Sequence, residues 1–94
     1  MLCTYARIVG DGRAYQGACL VKGIIFMPVS ANDYVDVYDG LDATSGEKVM
    51  RIISSTVITW HFGLTCGVRF NHGVYLDGID GDVETTVLFE PLEL

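Results

Sequence analysis

The stretch Asp77-Gly78-Ile79-Asp80-Gly81-Asp82 places three carboxylates on one short segment, and Asp39-Gly40-Leu41-Asp42 carries the same opening pattern earlier in the chain. Calcium is held by several oxygen ligands from one loop, commonly in an Asp-x-Asp-x-Asp-Gly order closed by a bidentate Glu. The later stretch has the carboxylates but neither the order nor the closing Glu. A carboxylate pair doing general acid–base work needs one member in an apolar pocket that raises its pKa. Asp and Gly at the ends of β-branched runs are instead the residues that shape turns. The two copies of Asp-Gly-(Leu/Ile)-Asp match a duplicated hairpin or a chance repeat.

The softer ligands are His61, Cys66 and His72. Zinc is usually held by four closely paired ligands, and these three lack both the pairing and a nearby fourth. Cys66 beside a histidine has the elements of a nucleophilic dyad. Yet Cys66, Val68 and Phe70 alternate, which predicts one buried strand face. Cys3, Cys19 and Cys66 are odd in number and widely spaced. They read as small buried hydrophobes of a reducing compartment rather than a disulfide framework. No phosphate-binding glycine loop, dinucleotide fingerprint or Gly-x-Ser-x-Gly is present. The residues therefore assign no catalytic, cofactor-binding or metal-binding position.

The elements that position these residues read as strands. No long window keeps a helical apolar period, whereas β-branched and aromatic runs recur between Gly, Asp and Asn. The pattern predicts about eight strands, near 2–9, 16–29, 34–39, 47–53, 56–62, 64–70, 73–77 and 83–90. The second is expected to bend at Gly23. Gly63 is expected to split two strands, and Asp80-Gly81 to close a hairpin before Val83. Val35 and Val37 share a face opposite Tyr34, Asp36 and Tyr38. Val83, Thr85, Val87 and Phe89 share a face opposite Glu84, Thr86, Leu88 and Glu90. In "GIIFM" alternation fails, as expected of a strand covered on one side by the core and on the other by a neighbouring subunit. The expected fold is all-β: one small antiparallel β-sandwich or jelly roll over residues 1–94.

Half the residues are hydrophobic and only 19% are charged, so the chain has more apolar surface than a core this small can hide. Self-association or docking on a partner is the expected outlet. The net charge is −6, with six scattered Lys and Arg. That excludes the clustered basic surface that nucleic acid requires. Residues 77–94 hold six acids and no base, which predicts a solvated acidic face or a patch that meets a basic partner. No run is long and apolar enough for a membrane helix. No export signal is evident either, so the protein is expected to stay in the cell that makes it or to leave by lysis.

Four stretches together resemble a known kind of protein: "GACLVKGIIF", "DYVDVYDGLDATSGEKVMRI", "GVRFNHGVYLDG" and "VETTVLFEPL". They resemble the small β-sandwich virion proteins of tailed bacteriophages. In those a Gly-rich strand precedes a V-x-V-Y-D-G-x-x-A-T/S-G hairpin, then a G-V-x-F-x-x-G-(L/V)-Y-(V/L) hairpin and a closing strand. The resemblance covers roughly residues 17 to 90. The chain departs from it at Trp60-His61-Phe62 and in its acidic final segment. The resemblance implies a non-enzymatic role as a capsid decoration or cement protein on the major capsid protein, or as a neck or tail component. It also implies a homo-oligomer, with a trimer favoured, and a place on the virion after synthesis in the host cytoplasm. Tyr34, Tyr38, Asp39, Asp42, Glu84 and Glu90 are the expected interface residues. Exposed tyrosines such as Tyr34 and Tyr38 also suit a carbohydrate-binding module of a fibre.

Overall fold

The computed structural model describes residues 3–92. Eight strands form: β1 (Thr4–Val9), β2 (Asp11–Gln16), β3 (Cys19–Met27), β4 (Tyr34–Asp39), β5 (Glu47–Ile53), β6 (Trp60–Phe70), β7 (Gly73–Gly78) and β8 (Glu84–Pro91). They make two four-stranded antiparallel sheets, β1-β8-β3-β6 and β2-β7-β4-β5. Only β4 and β5 are joined as neighbours in one sheet; every other connection passes from one sheet to the other. That order is the eight-stranded jelly roll. The connections β1–β2, β3–β4, β5–β6 and β7–β8 therefore gather at one end, and the remaining three at the opposite end.

Period-two patterning places the core. Cys19, Val21, Ile24 and Phe26 of β3 meet Val35 and Val37 of β4, Leu76 and Val74 of β7, Val87 and Phe89 of β8, Ile52 and Phe70. Each full burial of such a side chain is worth about 1.5–3 kcal/mol. The inner residues of β3 are out of phase because Lys22 is an extra residue against β8. The bulge lets Val21 and Ile24, three apart, both face inward. The outer-face residues Ile25 and Met27 are half-buried, so the unbroken apolar run "GIIFM" fills one core-facing and one outer row.

The structure corrects several expectations. Residues 11–16 form β2, a strand the composition hides: its Asp, Gly and Gln carry little β propensity. It forms because Gly10 turns the chain at φ 77° and β2 pairs with the edge of β7. The expected strand 16–29 accordingly starts only at Cys19. Residues 54–59 are a loop rather than the start of a strand, and β6 runs through Gly63 without a turn. Inside β6, Leu64, Thr65, Cys66 and Gly67 face Lys22 alone, a wide bulge with Gly67 at φ 75°. That bulge takes Cys66 off the inner face, so Cys66 is exposed, as is Cys3, and only Cys19 is buried. Asp80-Gly81 joins β7 to β8 across the two sheets and closes no hairpin. The expected first-strand start at Leu2 lies outside the described residues.

Candidate functional site

The aspartates singled out in the sequence fasten turns. Asp39 ends β4, and its carboxylate accepts the backbone N–H groups of Asn71 and His72 at 3.0 and 2.9 Å. The Gly40 N–H donates to the Gly73 carbonyl at 3.1 Å beside it. Asp42 accepts from the Ser45 N–H and hydroxyl at 2.7 and 2.8 Å. Those two bonds hold its carboxyl below the usual carboxylate range. Asp80 accepts from the Asp82 N–H at 3.0 Å. Asp39 and Asp77 belong to different faces: Asp39 lies opposite the buried Val74, whereas Asp77 shares the outer face with Asp36. The repeated tetrapeptide thus does two different jobs at opposite ends of the sheet.

The outer face of the β4 sheet carries Tyr34, Asp36 and Tyr38. Asp36 is buried, and the Arg51 guanidinium grips it with two bonds, at 2.6 and 3.0 Å, while Lys48 lies 3.2 Å away. Arg51 and then Lys48 hold its carboxyl below the usual range, against its own desolvation. Arg51 also lies over the Tyr34 ring at 4.0 Å, and Tyr38 meets Tyr75 edge-on at 6.4 Å. The Tyr75 hydroxyl donates to Asp11 at 3.2 Å. Burial and Asp11 push its pKa up. On β8, Glu84 pairs with Arg7, and one Glu90 oxygen is buried without a hydrogen-bond partner among the described residues.

The six expected interface residues are therefore split. Tyr34 and Tyr38 share one outer face, Asp39 and Asp42 sit at the β4–β5 turn, and Glu84 and Glu90 belong to the other sheet. His61 points to the outer face beside Ile25, Cys66 lies in the bulge and His72 in the β6–β7 turn. Among the described residues no three His, Cys, Asp or Glu side chains gather as metal ligands, and no pocket forms.

A feature the sequence reading passed over stands at the end where β1–β2, β3–β4, β5–β6 and β7–β8 connect. Among the described residues ten large hydrophobic side chains are left exposed, and eight of them are there: Val9, Val29, Ile53, Val57, Ile58, Trp60, Phe62 and Ile79. Trp60 and Phe62 belong to the inner face of their sheet, opposite Phe26 and Ile24, yet remain 40% and 37% exposed. Their rings stack at 6.3 Å. The open side lies at β6 because β6 is an edge strand and the 54–59 loop leaves its start uncovered. The surrounding loops are tied to one another. Asn32 N–H donates to Ser54 O at 2.7 Å, Ile79 N–H to Tyr34 O at 3.0 Å, and Gly10 N–H to Val83 O at 2.7 Å. Asp33 accepts from Val29 and Ser30 N–H at 3.0 and 2.8 Å. The Trp60 indole N–H donates to the Ser54 hydroxyl at 2.6 Å, and that hydroxyl donates to the Thr56 carbonyl at 2.6 Å. Large apolar side chains left exposed together at one end of a domain are the mark of a protein or membrane contact. One signal in the sequence points to it: no acid occurs between Glu47 and Asp77 in a chain with twelve.

Comparison with protein-family models, with curated proteins and with solved structures finds no match to this chain.

Proposed function

We propose that this chain is a structural protein of a tailed-phage virion, a decoration or cement protein that binds the lattice of the major capsid protein and reinforces it. The observation that carries the reading is the fastened apolar end of the jelly roll, where Trp60 and Phe62 stay exposed beside Val57 and Ile58. Leaving such side chains in water costs free energy that contact with another protein recovers. The hairpin signatures around Asp39-Gly40 and Gly73-Val74-Tyr75 supply the virion part of the reading. The fold itself does not choose, because jelly rolls serve in capsids, lectins and cupins alike. In this role the work is done by mass action: a protein that binds only the assembled shell stabilises it in proportion to its occupancy.

The test is the copy number in purified virions of the phage that encodes the chain, by quantitative mass spectrometry against the major capsid protein. Decoration of a symmetric shell predicts on the order of hundreds of copies. A count of about a dozen or fewer places the protein at the neck or tail, and its absence from the particle refutes the reading.

A further inference from the structure

We propose that the apolar loop end, centred on Val57, Ile58, Trp60 and Phe62, is the surface through which copies of this chain bind one another in a closed symmetric oligomer. The inference takes the apolar end that the virion reading rests on and gives it to a second copy, so that a capsid would be met through the remaining surface of the oligomer; its test needs no virions.

Charge selects a second copy as the occupant. Each molecule carries −6, so two copies repel wherever their acids face each other. The span from residue 48 to residue 76 has no acid at all, and it contains the 54–59 loop, Trp60 and Phe62. The neighbouring β3–β4 loop has one ionisable residue, Asp33, and its carboxylate is buried and bonded to the loop's own backbone. The acidic side chains of this end, Asp11, Asp77, Asp80, Asp82 and Glu84, stand on the β1–β2 and β7–β8 connections and the strand ends beside them, on the side of each sheet away from β5 and β6. Copies related by a rotation axis through the 54–59 loop bring neutral surface to neutral surface and leave those carboxylates at the periphery. A basic partner would call for acids on the contact itself, and an anionic membrane is repelled by the net charge.

Size and rigidity agree. Val29, Ile53, Val57, Ile58, Trp60 and Phe62 are each between about one-third and three-fifths exposed. Summed over two copies, their exposed area reaches roughly the 1,000 Å² at which specific interfaces begin. The central Trp60 is already held by Ser54, so little side-chain freedom is left to lose on binding. Buried tryptophans at the middle of an interface are the residues that carry its energy.

The experiment is sedimentation velocity on the full chain, wild type against Ile58→Asp, Val57→Asp and, away from this end, Val49→Asp. Circular dichroism on each variant confirms that the sandwich is folded. The wild type is expected to sediment as a dimer or trimer. Ile58→Asp and Val57→Asp are each expected to weaken association about tenfold or more, and Val49→Asp to leave it unchanged. Raising the salt from about 0.01 M to about 1 M should strengthen the wild-type oligomer, because it screens like charges. A wild type that stays monomeric up to roughly 0.1 mM, or an oligomer indifferent to both loop variants, overturns the proposal. So does a monomer that binds phosphatidylcholine vesicles through this end. An oligomer of the expected kind from a chain missing from virions would defeat the virion reading alone.

Discussion

Asp39, Asp36 and Thr85 show how three polar strand residues come to differ in what they do. Asp39 accepts two backbone N–H bonds from the β6–β7 turn, and hydrogen bonds to a charged group are worth about 1.5–3 kcal/mol each. Exposure of the site reduces that figure, so Asp39→Ala is expected to lower unfolding free energy by about 1–3 kcal/mol, measured by urea denaturation. Asp36 is depressed below its ordinary pKa by Arg51 and Lys48. Its contribution is complete above the unfolded value of about 4 and is lost as pH falls through the lowered folded value. The stability gap between wild type and Asp36→Asn should therefore be widest near neutrality and shrink in acid. A gap independent of pH would show that the ion pair contributes nothing. Thr85 faces the core between Ile8 and Phe26, and its hydroxyl has no hydrogen-bond partner among the described residues. Burial of an unpaired hydroxyl costs about 1–3 kcal/mol, so Thr85→Val is expected to raise the melting temperature. The inward position of Thr85 was legible from the alternation of β8. Its missing partner was not, because that depends on which strands lie beside it.

At the scale of elements, the legible strands were the short β-branched or aromatic runs bounded by turn residues. β4, β5, β7 and β8 follow from Val35/Val37, Ile52, Val74/Leu76 and Val83/Val87, with ends within a residue or so of those observed. β2 and the start of β6 were not legible, for opposite reasons. β2 has weak propensity and exists through its pairing with β7. Residues 56–59 have strong propensity yet form a loop, because Ser54 and Asp33 bind the chain end of β5 to the neighbouring loop. Turn chemistry was legible where backbone geometry demands glycine. Gly73 adopts φ 153°, and a Cβ there would lie 2.6 Å from the Tyr15 carbonyl oxygen. Gly73→Ala must move β2 or β7, and it is expected to cost about 2 kcal/mol or more, seen as a lower urea midpoint with loss of soluble yield.

For the whole molecule, sheet membership decided what residue patterns could not. Alternation identifies a half-buried strand but says nothing of which strand lies next to it, so the sandwich could be read and its order β1-β8-β3-β6 over β2-β7-β4-β5 could not. The order sends four connections to one end, and this gathers valines, isoleucines and aromatics scattered in the sequence at that end. The acidic residues that drew notice first fasten turns or balance Arg51, while the surface best built for contact is the part of the chain without acids. The proposed role of this small sandwich is to stabilise a shell by binding its outside. The direct measurement is genome release from heated phage particles that lack the chain, with and without the purified protein added back. Saturable binding, and release at a higher temperature, are expected with the protein present. Particles that neither bind it nor change their release temperature would contradict that role.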